Sequence, residues 1–282
     1  MLLIADSGST KTAWSLFDAK KPRAFRTHGL NPYFLDRENV VRILKEDLLS
    51  RKAAWQKVDR IYFYGAGCNS KGKNQIIRDG LRNAFPKAKI EVHSDLLGAA
   101  RGLCGKDPGI LAILGTGSNC CYYDGKNTFQ ENPSLGFILG DEGGGADLGK
   151  RFLRAVLYRQ LPARLLNEFD RSFRLSKEHI LDAVYKKEFP NRFLASFVPF
   201  LKLHQRNPLI RKILIESFGD FFKQHVMKYK KYSPAPLNFA GSVAFVFKDV
   251  LQEVAEENYQ RAKSIVQDPL PGLLNYHSAD RR

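Results

Sequence analysis

Two short stretches constrain this chain more than any others. Leu2-Leu3-Ile4-Ala5 is apolar, Asp6-Ser7-Gly8-Ser9-Thr10-Lys11-Thr12 is rich in small hydroxyl residues, and Ala13-Trp14-Ser15-Leu16-Phe17 alternates toward a second strand. That is the signature of a strand, a tight hairpin and a strand. The pattern returns at Ile110 to Leu114, Gly115-Thr116-Gly117-Ser118 and Asn119 to Asp124. The 282 residues therefore read as two α/β units that open alike, although no sequence-level repeat joins them. The loop Gly105 to Gly109, with Pro108, is the expected boundary. It divides the chain into domains 1–105 and 106–282, the second with a helical insertion at about 150–232.

Further elements follow from periodicity. Strands are expected over Ala24 to Leu30, Ile61 to Tyr64, Ile90 to Val92, 127–131 and Leu237 to Ala240. Helices are expected at 38–52, where Val41, Leu44, Leu48 and Leu49 share a face, at 74–84, at 95–104 and at Val243 to Tyr259. Residues 133–149 carry six glycines and read as a loop, and the tail around Pro269-Leu270-Pro271-Gly272 reads as irregular.

Three turns carry candidate chemistry. In the first hairpin, successive backbone N–H groups can face one anion, with hydroxyls from Ser9, Thr10 and Thr12 and the charge of Lys11 beside them. Asp6, at the end of its strand, can hold Mg²⁺ through water. A polar hairpin chosen only for its turn propensity explains the same residues equally well. The second hairpin, Gly115-Thr116-Gly117-Ser118-Asn119, is weak alone and stronger as a partner of the first. Two phosphate clamps on two similar domains describe a nucleotide held in an interdomain cleft. The third, Phe239-Ala240-Gly241-Ser242-Val243-Ala244, is by itself an ordinary strand-to-helix turn that could also accept a flat adenine and ribose.

In this order, the three turns resemble those of the actin-like ATPase and sugar-kinase superfamily, whose domains have the ribonuclease H-like fold. Leu30-Asn31-Pro32, Ser94-Asp95-Leu96-Leu97-Gly98-Ala99 and Leu139-Gly140-Asp141-Glu142-Gly143-Gly144 resemble the N-acetylglucosamine kinase branch, which overlaps the BadF/BadG/BcrA/BcrD-type ATPase family. The resemblance runs from Leu3 to about Phe247 and implies ATP and Mg²⁺ as cofactors. It implies transfer of phosphate to an N-acetylated amino sugar, with N-acetylglucosamine 6-phosphate as the leading product. By position, Asp95 would be the catalytic base. Ser9, Thr10, Lys11, Gly115, Thr116 and Gly117 would bind ATP phosphates, and Gly241 and Ser242 the adenosine. Asn31, Ser118, Asn119, Leu135, Gly136 and Asp141 would contact the sugar, with Ser134 in the same loop. Without the resemblance, Asp95 reads as a helix N-cap, and Asp141-Glu142 as a charge pair at a helix start.

The sequence departs from the family at Ser7, where glycine is common, and at Leu135, where an animal relative has tryptophan. The second departure leaves N-acetylmuramate or another amino sugar open as substrate. A BadF-type activator of a dehydratase is a rival reading, but Cys68, Cys104, Cys120 and Cys121 offer no suitable pair for a shared [4Fe–4S] cluster. The formal charge of +16 raises a nucleic-acid partner. The excess is concentrated: residues 151–232 hold 18 basic and 7 acidic groups, away from the three turns. Arg151, Arg154, Arg159 and Arg164 there read as a solvated face, so neither nucleic acid nor membrane is expected as a partner. Free thiols, the absence of a signal-peptide pattern at Met1 to Asp6 and the lack of a long apolar run lead us to expect a cytoplasmic protein. A homodimer remains open.

Overall fold

The computed structural model describes residues 1–18, 21–48, 57–258 and 261–279. The first half contains β1 (Leu2–Ser7), β2 (Lys11–Phe17), β3 (Arg23–His28), α1 (Arg37–Ile43), β4 (Arg60–Gly65), α2 (Lys71–Ala84), β5 (Lys89–Ser94) and α3 (Asp95–Cys104). Then come β6 (Gly109–Leu114), β7 (Ser118–Tyr123), β8 (Thr128–Phe129), α4 (Gly136–Leu139) and α5 (Gly145–Leu157). A helical stretch follows with α6 (Ala163–Phe173), α7 (Lys177–Tyr185), α8 (Pro190–Ala195), α9 (Val198–Leu203) and α10 (Pro208–Gln224). The chain ends with β9 (Leu237–Ala240), α11 (Ser242–Val246), α12 (Lys248–Glu257), β10 (Ala262–Val266) and α13 (Leu270–Ala279). Contacts divide it into two compact units. One is Met1–Leu111, Cys121–Phe129 and Asp268–Arg282; the other is Ala112–Cys120 and Gln130–Gln267.

The first sheet has the order β3-β2-β1-β4-β5. β1 runs antiparallel to β2 and parallel to β4. Successive side chains point to opposite faces of a strand, and β1 is covered on both. Leu3 and Ala5 join Trp14, Phe63, Val40 and Leu81 in one core cluster. Leu2 and Ile4 join Tyr64, Leu270 and Leu273 in another. That is why β1 is continuously apolar. The second sheet has the order β10-β9-β6-β7-β8. Taken from the other edge, this is the same succession as the first sheet, so the two hairpins occupy equivalent places in equivalent sheets.

Several boundaries differ from the sequence reading. The glycine-rich stretch is half helical, because α5 uses its glycines for close approach. A Cβ at Gly149 would lie 1.9 Å from the Leu194 carbonyl oxygen of α8. The tail contains β10 and α13; Pro271 sits in the first turn, where its missing N–H costs nothing. The last long helix is broken at Phe247, which is buried between α11 and α12. Residues 49–52 of the expected first helix, and Tyr259, lie outside the described residues. The basic helical stretch encloses an aromatic core of Phe152, Phe169, Phe173, Phe197 and Phe200. Arg154, Arg159 and Arg164 are exposed as expected, whereas Arg151 is not a solvated side chain: it bridges Asp147 at 2.8 Å and Asp220 at 2.6 Å.

Candidate functional site

The first hairpin joins β1 to β2, and its tip is closed by the Gly8 N–H donating to the Lys11 carbonyl at 3.0 Å. Gly8, Thr10 and Lys11 are exposed there. Ser7, a departure from the family pattern, is fully buried and structural. Its hydroxyl lies 2.8 Å from the Thr12 hydroxyl and accepts from the Leu30 N–H at 3.0 Å. The Asn31 amide donates to the Ser9 hydroxyl at 2.9 Å, and its oxygen accepts from the Tyr33 N–H. A residue expected at the sugar and one expected at the phosphates are thus bonded to each other. Gly29 makes this possible. A Cβ on it would stand 2.4 Å from the Gly8 carbonyl oxygen.

Asp95 is the first residue of α3, but it is not the cap. Ser94 is the N-cap, its hydroxyl accepting from the Leu97 N–H at 3.3 Å. The Asp95 carboxylate accepts from the neighbouring Leu96 N–H at 2.9 Å. Burial pushes its pKa up to about 6, partly offset by that backbone hydrogen bond. Asp6, at the end of β1, is pushed up to about 8, chiefly by burial, then by the charges of Asp268 and Asp95, with Lys11 opposing them. Asp268 was not legible as a site residue, because the sequence reading left its segment irregular. It precedes α13 and accepts from the Leu270 N–H at 2.9 Å.

Among the described residues no group of three His, Cys, Asp or Glu side chains is arranged to hold a metal outright. Asp6 nevertheless fits a Mg²⁺ ion that keeps most of its waters. It offers hard carboxylate oxygen, and a cation would favour the ionised form that burial and neighbouring carboxylates oppose.

The second hairpin is held by backbone. Gly115 N–H donates to the Gly117 carbonyl at 2.9 Å, and the first two N–H groups of α5 donate to the Gly115 and Thr116 carbonyls at 2.8 Å each. Asp141 closes over it, its carboxylate accepting from the Ser118 N–H at 3.2 Å. A Cβ on Gly117 would lie 2.6 Å from that carboxylate. Burial raises the Asp141 pKa, and the Ser118 N–H counteracts it. Asp141 has φ of 61°, a left-handed backbone rare for a residue with a side chain. Such strain persists only where the surroundings enforce it. The Ser118 hydroxyl is buried and, among the described residues, has no hydrogen-bond partner. Asn119 accepts from the Gln130 amide at 2.8 Å and from its neighbour's N–H. Leu135 and Gly136 stand at the start of α4, where Leu135, Ile138 and Leu139 are all exposed.

The third turn lies against the second. Gly241 has φ of 116°, and a Cβ there would come within 2.3 Å of the Leu114 carbonyl oxygen, one residue before Gly115. Ser242 opens α11 and is half-buried. The structure therefore gathers Ser9, Lys11, Asn31, Asp6 and Asp95 in one unit. It gathers Gly115 to Asn119, Asp141 and Gly241-Ser242 in the other.

No family model matches the chain. A crystal structure from Porphyromonas gingivalis, named a candidate N-acetylglucosamine kinase, is 40% identical over 100% of both chains, with a TM-score of 0.95. One from Chromobacterium violaceum with the same designation is 19% identical over 98% of each chain, with a TM-score of 0.74, and shows the fold alone. So does a ROK family glucokinase from Streptomyces griseus in complex with glucose and AMPPNP, 15% identical over 99% of this chain and 98% of that one, with a TM-score of 0.57. An N-acetylmuramic acid/N-acetylglucosamine kinase from Clostridium acetobutylicum is 30% identical over 125 residues. That match covers 43% of this chain and 41% of the relative's length.

Proposed function

The chain belongs to the N-acetylglucosamine kinase family of the actin-like ATPase fold, and from that premise we propose that it transfers the γ-phosphate of ATP to a hydroxyl of an N-acetylated amino sugar. The 6-hydroxyl of N-acetylglucosamine is the leading acceptor. The observation that carries the reading is the state of Asp95. Its carboxyl is half-buried, relieved of capping by Ser94, and raised to about 6. A base acts best when its pKa lies near the working pH, and at neutral pH most of Asp95 is ionised and ready to accept a proton.

In this mechanism Asp95 takes the proton of the sugar hydroxyl as the oxygen attacks phosphorus. The N–H groups and hydroxyls of Ser9, Thr10, Gly115, Thr116 and Gly117, with Lys11, hold the phosphates. Asp6 would hold Mg²⁺, which supplies charge neutralisation of the phosphates when bound. Asp141, Asn119, Asn31 and Ser118 orient the sugar, and the unpartnered Ser118 hydroxyl has a donor and acceptor to spare. Leu135 and Gly136 border the sugar, and Gly241-Ser242 take the adenosine. Phosphoryl transfer of this kind depends mainly on positioning and on charge stabilisation. Among the described residues no helix is long and apolar enough to cross a membrane, and a cytoplasmic setting belongs to the same proposal.

Leu135, which is 57% exposed and stands where an animal relative has the larger tryptophan, favours N-acetylmuramate as a second acceptor, since a smaller side chain there would leave room for a substituent on the sugar. The BadF-type alternative needs accessible thiolates. Cys68, Cys120 and Cys121 are buried, and burial pushes the Cys68 and Cys121 thiols up. The test is ADP release from ATP and Mg²⁺ with a panel of amino sugars and a no-sugar control. Stimulation by N-acetylglucosamine or N-acetylmuramate is expected; no stimulation by any amino sugar sinks the reading.

A further inference from the structure

Helix α10 contributes none of the residues assigned above, yet one of its faces lies on the turn that carries Asp141. Ser217, Phe221 and His225 are spaced four apart and therefore share that face. The Ser217 hydroxyl, fully buried, accepts from the Gly143 N–H at 3.1 Å and donates to the Asp147 carboxylate at 2.7 Å. Asp147, itself buried, is held by Arg151 at 2.8 Å, and Arg151 reaches back to Asp220 of α10 at 2.6 Å. Gly143 has φ of 74°, and a Cβ on it would sit 3.0 Å from the Phe221 Cβ. At the end of the helix the His225 ring stacks on Phe221, and its Nε2 lies 3.3 Å from Glu142.

The turn is thus gripped on both residues that follow Asp141. Gly143 is held through its backbone and Glu142 through its carboxylate. Between these grips and the Gly144 N–H, which donates to the Asp141 carbonyl at 2.9 Å, Asp141 keeps its left-handed backbone. A strained conformation of this kind needs surroundings that over-determine it. Buried hydrogen-bond networks supply that when every member is satisfied.

We propose that Ser217 and His225 are positioning residues for the sugar: by gripping Gly143 and Glu142 they set the Asp141 backbone that aims its carboxylate at the substrate. The inference rests on the reading of Asp141 as a sugar ligand. It assigns the α10 face to sugar affinity and to neither ATP affinity nor the proton transfer.

Four variants test it: Ser217→Ala, Ser217→Thr, His225→Phe and His225→Gln. Ser217→Ala removes one oxygen from a buried site, and His225→Phe keeps a ring on Phe221 but loses the nitrogen facing Glu142. Each is expected to raise KM for the sugar about 5- to 30-fold, the effect of losing one or two hydrogen bonds, with KM for ATP within about twofold. His225→Gln, which keeps a donor, should restore much of the sugar affinity, and Ser217→Thr, which keeps the hydroxyl, should do the same. Hydrogen exchange at the Gly143 amide gives a readout independent of turnover: protected in the wild type, it should exchange faster in Ser217→Ala. If the wild type is active and Ser217→Ala and His225→Phe leave the sugar KM unchanged, or raise both KM values alike, the inference is overturned while the kinase reading stands. If no amino sugar stimulates the wild type, the kinase reading falls and takes this inference with it.

Discussion

In the first hairpin, side-chain hydroxyls add to the backbone bonds of the tip: Ser7 bonds Thr12 and the Leu30 N–H, and Ser9 receives Asn31. In the second, backbone does the holding: the opening N–H groups of α5 bond the loop carbonyls, and Gly117 lies against the Asp141 carboxylate. The two stretches are alike only in being short and rich in Gly, Ser and Thr, yet they sit at equivalent places in equivalent sheets. Their supports differ because the chain that follows differs. A loop carrying Asn31 folds over the first, and a helix starts against the second. The carboxylates divide in the same way. Asp95 accepts from the Leu96 N–H at the start of its own helix and is raised to about 6, whereas Asp141 is tied to its hairpin by the Ser118 N–H. In the proposed mechanism the first would exchange a proton and the second would hold the sugar.

The largest effect should separate the two carboxylates. Asp95→Asn is expected to lower kcat about 10²- to 10⁴-fold, the range for loss of a general base, with both KM values little changed. Asp141→Asn should act mainly on KM for the sugar. Steady-state kinetics with sugar and ATP varied in turn checks this, and the reverse pattern would exchange the two roles.

Next in size is the pH dependence of stability, which Asp6 should dominate. Its folded pKa is raised to about 8 from 3.8, so the folded state binds its proton more tightly than the unfolded state. Below the unfolded value both states are protonated and Asp6 contributes nothing. As pH rises toward 8 the unfolded chain ionises and the folded chain does not, so stability falls. Between pH 5 and 8, in chelator, the loss should reach about 3–4 kcal/mol. Asp6→Asn should flatten that slope. Mg²⁺ should raise the melting temperature of the wild type at pH 8 and leave Asp6→Asn unmoved. Equal slopes and equal Mg²⁺ responses in the two proteins would remove Asp6 from the ion.

The glycines test the comparison directly. Gly117→Ala forces a methyl into the Asp141 carboxylate and should cost about 2 kcal/mol, the scale of overpacking. Gly8→Ala, whose nearest neighbour would be 3.7 Å away, should cost less than about 0.5 kcal/mol, as exposed substitutions do. Denaturant melts of both decide whether the backbone-held hairpin is the less tolerant. A smaller effect than that of Gly117→Ala belongs to Ser7→Ala. It leaves the Leu30 N–H without its acceptor and should cost about 1 kcal/mol, read as a shift in the denaturation midpoint.

Much of the site was legible because its residues cluster in short turns. Asp6 to Thr12, Gly115 to Asn119, Asp95 and Asp141 all lie at the ends of elements whose periodicity is plain. What escaped was whatever depended on a remote partner. Ser7 looked like a mild deviation until Leu30 and Thr12 were found on its hydroxyl. Asp95 looked like a cap until Ser94 was found to be one. Arg151 looked solvated among the exposed arginines, yet Asp147 and Asp220 hold it. Asp268, Ser217 and His225 carry no local signal, because what each faces, Asp6, Gly143 and Glu142, lies far away in sequence. The glycines of 140–149 were read as loop formers, whereas Gly145 and Gly149 are helical and serve close packing.

By itself the amino-acid sequence determined the class of the fold and named the candidate reaction groups. Strand and helix periods are local, and so are glycine, hydroxyl and carboxylate residues at the ends of strands. Only the tertiary structure decided which of those groups can act. A carboxylate's charge, a hydroxyl's spare hydrogen bond and a strained backbone depend on burial and on partners. Those are supplied by residues that meet only when the sheets and helices pack.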